Sequence, residues 1–171
     1  MKISTILTII CFSFLIISCQ KKEQKLQLKT RTIEIENIKF DLPTIFKQNK
    51  PNNWMFDDGK KIATIDINKS EKTELNSVLE DLKSKELESD SDKYTLIETK
   101  KGDTLNKQYI LETYKYNNSD YPFGYPVYSY ETYSAVKIND EFLAIHSFSL
   151  GLNLNDTMKK SILNIKKIKW E

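Results

Sequence analysis

Histidine is the side chain whose ordinary pKa best suits proton transfer near neutral pH, and this chain has a single one, His146. One imidazole excludes the two-histidine zinc motifs and leaves at most one base for a nucleophile triad. If Asn139-Asp140 forms a two-residue turn between strands, register places His146 opposite Tyr133, with Glu131 diagonal on the same face. A carboxylate beside an imidazole can orient it as a base. Phe142, Ala144, Phe148 and Leu150 share that face, however, so a satisfied, partly buried histidine is the expected outcome. No Gly-x-Ser-x-Gly elbow is present, and Gly59, Gly102, Gly124 and Gly151 are too scattered for a phosphate loop. The pair Asp57-Asp58 precedes Gly59 and reads as a turn whose carboxylates help the backbone reverse. The expectation is a protein that is not an enzyme and uses neither metal nor cofactor. Hydrolysis of an envelope glycan by paired carboxylates is the enzymatic alternative, because carboxylate separation is a spatial property.

Tyrosine is the more unusual chemistry. Eight of the nine tyrosines, Tyr109, Tyr114, Tyr116, Tyr121, Tyr125, Tyr128, Tyr130 and Tyr133, fall within one short stretch. At its centre, residues 117 to 126 form a loop that carries Tyr121, Phe123 and Tyr125 between asparagine and proline turn formers. Loops run over surfaces, and an exposed tyrosine offers contact area with little side-chain entropy to lose. Tyr121, Phe123, Tyr125 and Tyr128 are therefore the expected binding residues, for an envelope protein or a glycan. The strand tyrosines are expected to serve packing, since aromatic rings favour strands.

The first residues fix where such a domain works. Lys2 precedes an apolar run from Ile3 to Ile17, then Ser18 and Cys19. About fifteen residues rise roughly 22 Å as a helix, short of a ~30 Å hydrocarbon core, so the run reads as a secretory signal rather than a span. The ending Ile16-Ile17-Ser18-Cys19 resembles the bacterial lipobox. The resemblance implies that residues 1–18 are a signal peptide, that Cys19 is lipidated, and that residues 19–30 are a flexible tether before one domain at 31–171. The tether start Cys19-Gln20-Lys21-Lys22-Glu23 is similar to the export signal of Bacteroidota-type lipoproteins, which implies an outer-membrane, lipid-anchored protein on the surface or periplasmic face. Cys11 leaves with the signal, so no thiol is left for a disulfide or a metal. With 26 Lys and Arg against 24 Asp and Glu, the chain is too near neutrality for a nucleic-acid partner. The membrane lipid reached through Cys19 is the one partner implied by sequence; the other is an unidentified envelope macromolecule.

The elements that must position these groups follow from periodicity. Thr32-Ile33-Glu34-Ile35 and Ile38 to Leu42 alternate with period two and read as strands, the second ending at Pro43. Residues 48–53 read as a loop, and Trp54-Met55-Phe56 with Ile62 to Ile67 as a hairpin across Asp57 to Lys60. Leu75, Val78, Leu79 and Leu82 recur at helical spacing, with Ser70 or Thr73 as possible caps. Two hairpins follow, Tyr94–Thr99 with Thr104–Tyr116 across a Lys101-Gly102-Asp103 turn, and Val127–Ile138 with Glu141–Leu150 across Asn139-Asp140. A closing helix from Asn155 or Asp156 carries Met158, Ile162 and Ile165, with Lys166 and Lys167 at its negative end.

This order predicts an α+β fold, an antiparallel sheet packed with two main helices. The opening Ile38-Lys39-Phe40-Asp41-Leu42-Pro43 with Trp54 downstream, and the closing Met158-Lys159-Lys160-Ser161-Ile162, resemble the PsbP-like and DcrB-like family. That resemblance implies an α/β/α sandwich, no common catalytic residues, and a binding, assembly or secretion-accessory role. The leading expectation is thus a non-catalytic binding lipoprotein acting through loop 117–126. A protective immunity or secretion-accessory lipoprotein that neutralises a toxin is the alternative. Asp103-Thr104-Leu105 and Asp156-Thr157-Met158 also resemble O-glycosylation sites of Bacteroidota-type envelope proteins, at Thr104 and Thr157.

Overall fold

The computed structural model describes residues 29–35, 38–59, 61–87, 91–104, 107–118, 127–150 and 152–167. The expected signal, Cys19, most of the expected tether and the expected binding residues Tyr121, Phe123 and Tyr125 lie outside them. Among the described residues ten strands and two α-helices follow in chain order: β1 Thr30–Ile35, β2 Ile38–Pro43, β3 Lys47–Lys50, β4 Asn53–Asp57, β5 Ile62–Lys69, α1 Leu75–Leu87, β6 Tyr94–Thr104, β7 Lys107–Asn118, β8 Val127–Ile138, β9 Glu141–Leu150, α2 Leu152–Leu163 and β10 Lys166–Lys167. The fold is α+β, with every strand pair antiparallel.

The strands form a seven-stranded sheet ordered β3-β4-β5-β9-β8-β7-β6 and a three-stranded sheet ordered β1-β2-β10. Alternation along the long strands gives the large sheet two buried faces. On one, Ile65, Ile67, Leu111, Val136, Leu143 and Ile145 meet Leu154, Met158 and Ile162 of α2 and Ile38, Phe40 and Leu42 of β2. On the other, Ile110, Tyr133 and Ala135 meet Val78 and Leu79 of α1. The helices thus cover opposite faces of the sheet. Each fully buried Leu or Ile contributes roughly 1.5–3 kcal/mol, so the α2 face is the main source of stability.

Turn chemistry is where expected in two places. Gly59 has φ 80°, its N–H donates to Asp57 Oδ1 at 2.8 Å, and Lys61 N–H donates to Asp58 Oδ1 at 2.7 Å. Asn139 takes φ 53°, a left-handed conformation that asparagine tolerates, and it closes the two-residue β8–β9 turn.

Four expectations are corrected. Lys101-Gly102-Asp103 is not a turn but part of β6, with Gly102 paired to Tyr109. A Cβ at Gly102 would sit 2.2 Å from Tyr109 Cε1, so the glycine is there to seat a ring on its neighbouring strand, not to reverse the chain. Residues 48–50 are an edge strand rather than loop, because Asn52 at φ 60° makes the reversal in two residues. The closing helix starts at Leu152, earlier than Asn155, and Lys166-Lys167 leave it to pair with Lys39 and Ile38 of β2. Ser70 does not cap α1: its hydroxyl accepts from Lys72 N–H at 3.1 Å.

Candidate functional site

The sheet register brings the sequence-predicted triplet together. Tyr133 on β8 lies opposite His146 on β9, and their rings stack at 4.8 Å and 18°. Glu131, two residues before Tyr133 and so on the same face, accepts a hydrogen bond from His146 Nε2 at 3.2 Å and a short one from Tyr133 OH through the same oxygen, Oε2. Its other oxygen accepts from Tyr94 OH at 2.9 Å. Three strands, β6, β8 and β9, therefore converge on one carboxylate that is only 8 % exposed. Burial alone would push the Glu131 carboxyl up; the bonds from His146, Tyr133 and Tyr94 outweigh it and hold the group below the usual carboxylate range.

Tyr94 was not legible as a member of this cluster. It lies 37 positions from Glu131, on a strand that touches β7 but not β8, and no short-range pattern relates them. A second charged group on this face was also missed. Glu112 Oε2 accepts from Tyr114 OH at 2.8 Å and from Lys83 Nζ of α1 at 3.0 Å, and Lys83 also meets Glu80 at 2.8 Å. Desolvation acts to lower the Lys83 ammonium, yet its two carboxylate partners raise it well above an ordinary lysine. Tyr114 is raised by its burial and by its bond to Glu112.

Beside this cluster opens a cleft of about 770 Å³ between α1 and the β5–β9 pair. His146, Asp66 and Ala144 line its sheet side, Asp81 and Lys85 its helix side. Asp66 is paired in register with His146 across the two strands. Among the described residues no group of three or more histidine, cysteine or acidic side chains is placed to hold a metal.

The tyrosines divide as their positions on the strands dictate. Tyr133 is fully buried, Tyr114 meets it edge-on at 5.8 Å, and Tyr116 packs on Tyr94 at 4.8 Å. Tyr109 lies over Gly102, and Tyr130 is half-buried. Tyr128, the one expected binding residue within the described chain, is exposed at 37 %, with Lys115 Nζ held 3.5 Å above its ring. Leu96 and Ile97 on edge strand β6 are the other exposed large apolar side chains among the described residues, at 49 % and 45 %. Ile97 occupies an irregularity where β6 pairs Leu96 with Tyr114 and then Glu98 with Thr113. Since Tyr94 pairs with Tyr116 and Tyr128 with Asn117, all three exposed side chains lie at the end of the sheet where β7 leads into residues 119–126 and β8 returns.

No family model matches the sequence, and no curated protein does. Among solved structures the chain is similar to the Ran-binding protein Mog1p of Saccharomyces cerevisiae, with TM-score 0.51, 6% sequence identity, and cover of 83% of this chain and 97% of that one. A mutant of the same protein gives the same values. A protein from Bacteroides thetaiotaomicron aligns with TM-score 0.46 and 10% identity, over 84% of this chain and 50% of that one. At such identities the Mog1p likeness shows the fold alone.

Proposed function

We propose that this chain is a non-catalytic lipoprotein, anchored in the outer membrane through Cys19, whose PsbP-like α/β/α domain binds another envelope macromolecule. Tyr121, Phe123, Tyr125 and Tyr128 form the contact surface. The observation that carries the reading is that the exposed large apolar side chains among the described residues, Leu96, Ile97 and Tyr128, lie toward the end of the sheet where β7 ends and β8 begins, Leu96 on the α1 face and Tyr128 on the α2 face. Lys115 over Tyr128 lends this end of the sheet a cation and steadies the ring, features suited to a protein or glycan surface. Binding has a precedent on this fold in Mog1p, which by its name binds Ran. The anchor rests on the lipobox; no helix among the described residues is long and apolar enough to cross a membrane.

The test of the binding reading is Tyr121→Ala with Tyr125→Ala and Tyr128→Ala in the lipidated protein. The expected result is an unchanged fold by circular dichroism and loss of the envelope partner captured by the parent chain; undiminished capture overturns it.

A further inference from the structure

The cleft between α1 and the β5–β9 pair is not used by the surface just described. Tyr128 lies five residues before Tyr133 on β8 and, by alternation, on the opposite face. We infer that this cleft is a second binding site, for a small organic anion that carries hydrogen-bond donors at the end away from its charge.

The rim supplies the cation. Lys50, Lys69, Lys72 and Lys85 line the cleft against three acids, Asp66, Glu71 and Asp81. Lys85 is committed to Asp81 at 2.9 Å, and Lys69 lies 3.7 Å from Glu141. Among the described residues Lys50 and Lys72 form no close ion pair, although Lys72 lies near enough to Asp81 to help hold its carboxyl down, and they approach from different parts of the chain, the β3 edge and the segment after β5. Two such ammonium groups on one concavity favour a ligand anion more than either would on open surface, because the walls limit its hydration. Lysine meets an anion as a point charge and does not impose the fixed fork of arginine, so the rim selects charge more than shape.

The floor asks for the opposite. His146 Nε2 is committed to Glu131 at 3.2 Å, so Nδ1 is the ring nitrogen left for a ligand. Asp66 beside it receives Asn53 Nδ2 on Oδ1 at 2.7 Å, which leaves its second oxygen to accept. A ligand must then bring donors to the floor and its anionic group to the rim. Two sources share that chemistry, an acidic sugar with its hydroxyls and an amino acid or short peptide with its ammonium. A neutral sugar lacks the first feature and a simple carboxylate lacks the second.

The single histidine makes the test direct, since its ring gives one set of imidazole NMR signals. The mature lipid-free chain is titrated with glucuronate, with diglycine, and with glucose and acetate as controls. The expected result is a saturable shift of the His146 signals by glucuronate or diglycine, at a Kd on the order of a millimolar, with the responding ligand distinguishing the two sources. Glucose and acetate are expected to leave them in place. Lys50→Gln with Lys72→Gln should weaken binding about tenfold, as should Asp66→Asn, each with unchanged circular dichroism. No saturable shift with either ligand, an equal shift with acetate or glucose, or unchanged affinity in the lysine variant overturns the inference. Tyr128→Ala is expected to leave the titration unaltered, so failure here and failure of the partner surface are separate results.

Discussion

Replacing Glu131 exposes how much the domain depends on one carboxylate. Glu131→Ala removes the acceptor of Tyr133 OH, Tyr94 OH and His146 Nε2 together. Tyr133 is 0% exposed, so losing this acceptor inside the core costs about 1–3 kcal/mol. The His146 side chain is 17% exposed and can rehydrate in part, so its loss is smaller. The cavity left by the acid adds to the cost, and the total expected is about 3 kcal/mol, or roughly 10 °C in Tm for a domain of this size. The effect has a signature in pH. Because the folded carboxyl is held below its unfolded value of about 4.3, the stability it contributes is present in full above that value and is lost as the pH falls toward the folded one. Urea denaturation of parent and Glu131→Gln at pH 7 and pH 3 is the assay. Gln keeps the shape but cannot accept three donors, so it should cost about 2 kcal/mol at pH 7 and distinctly less at pH 3. A difference under about 0.5 kcal/mol at pH 7, or the same difference at both pH values, would refute the reasoning.

Other positions give independent checks. Gly102→Val should destabilise by about 1–3 kcal/mol in urea melts, since its Cβ meets the Tyr109 ring, and Tyr109→Ala in the same chain should relieve part of that cost. Ser134 and Ser147 have buried hydroxyls without a protein partner, so Ser134→Ala and Ser147→Ala should be neutral or stabilising by up to about 1 kcal/mol. Thr132 on the same face bonds Thr113 at 3.1 Å and Asn155 at 3.0 Å, and Thr132→Val should instead cost about 1–2 kcal/mol. Lys159→Met removes the cation of Glu98 at 2.7 Å and Asp156 at 2.9 Å; Glu98 keeps Lys100 and is part exposed, so the expected loss is about 1 kcal/mol, read by thermal melt.

The parts legible in the sequence were those set by short-range periodicity. The α1 stripe of Leu75, Val78, Leu79 and Leu82 repeats within two turns, and the Asn139-Asp140 turn carries the register that puts His146 opposite Tyr133 with Glu131 beside them. Glycine and lysine misled where tertiary contacts overrode local preference. Gly102 signals a turn on its own but is needed under a ring from the next strand, and Lys166-Lys167 suit a helix end but pair with β2, far away in sequence. Tyr94, Lys83 and the rim lysines of the cleft come from elements brought together only by folding, so no spacing could have assembled them. The proposed binding surface rests on composition, the crowding of tyrosines, and only Tyr128 of its four residues lies in the described chain.

Contact between the tyrosine-bearing end of the sheet and a partner in the envelope is what the proposed function requires. Site-specific photo-crosslinking in intact cells tests it most directly, with the reactive side chain placed in turn at positions 121, 125 and 128 and, as control, at exposed position 34 of β1. One discrete adduct of the same mass is expected from 121, 125 and 128 and none from 34. Absence of an adduct at all three, or the same products from position 34, would contradict it.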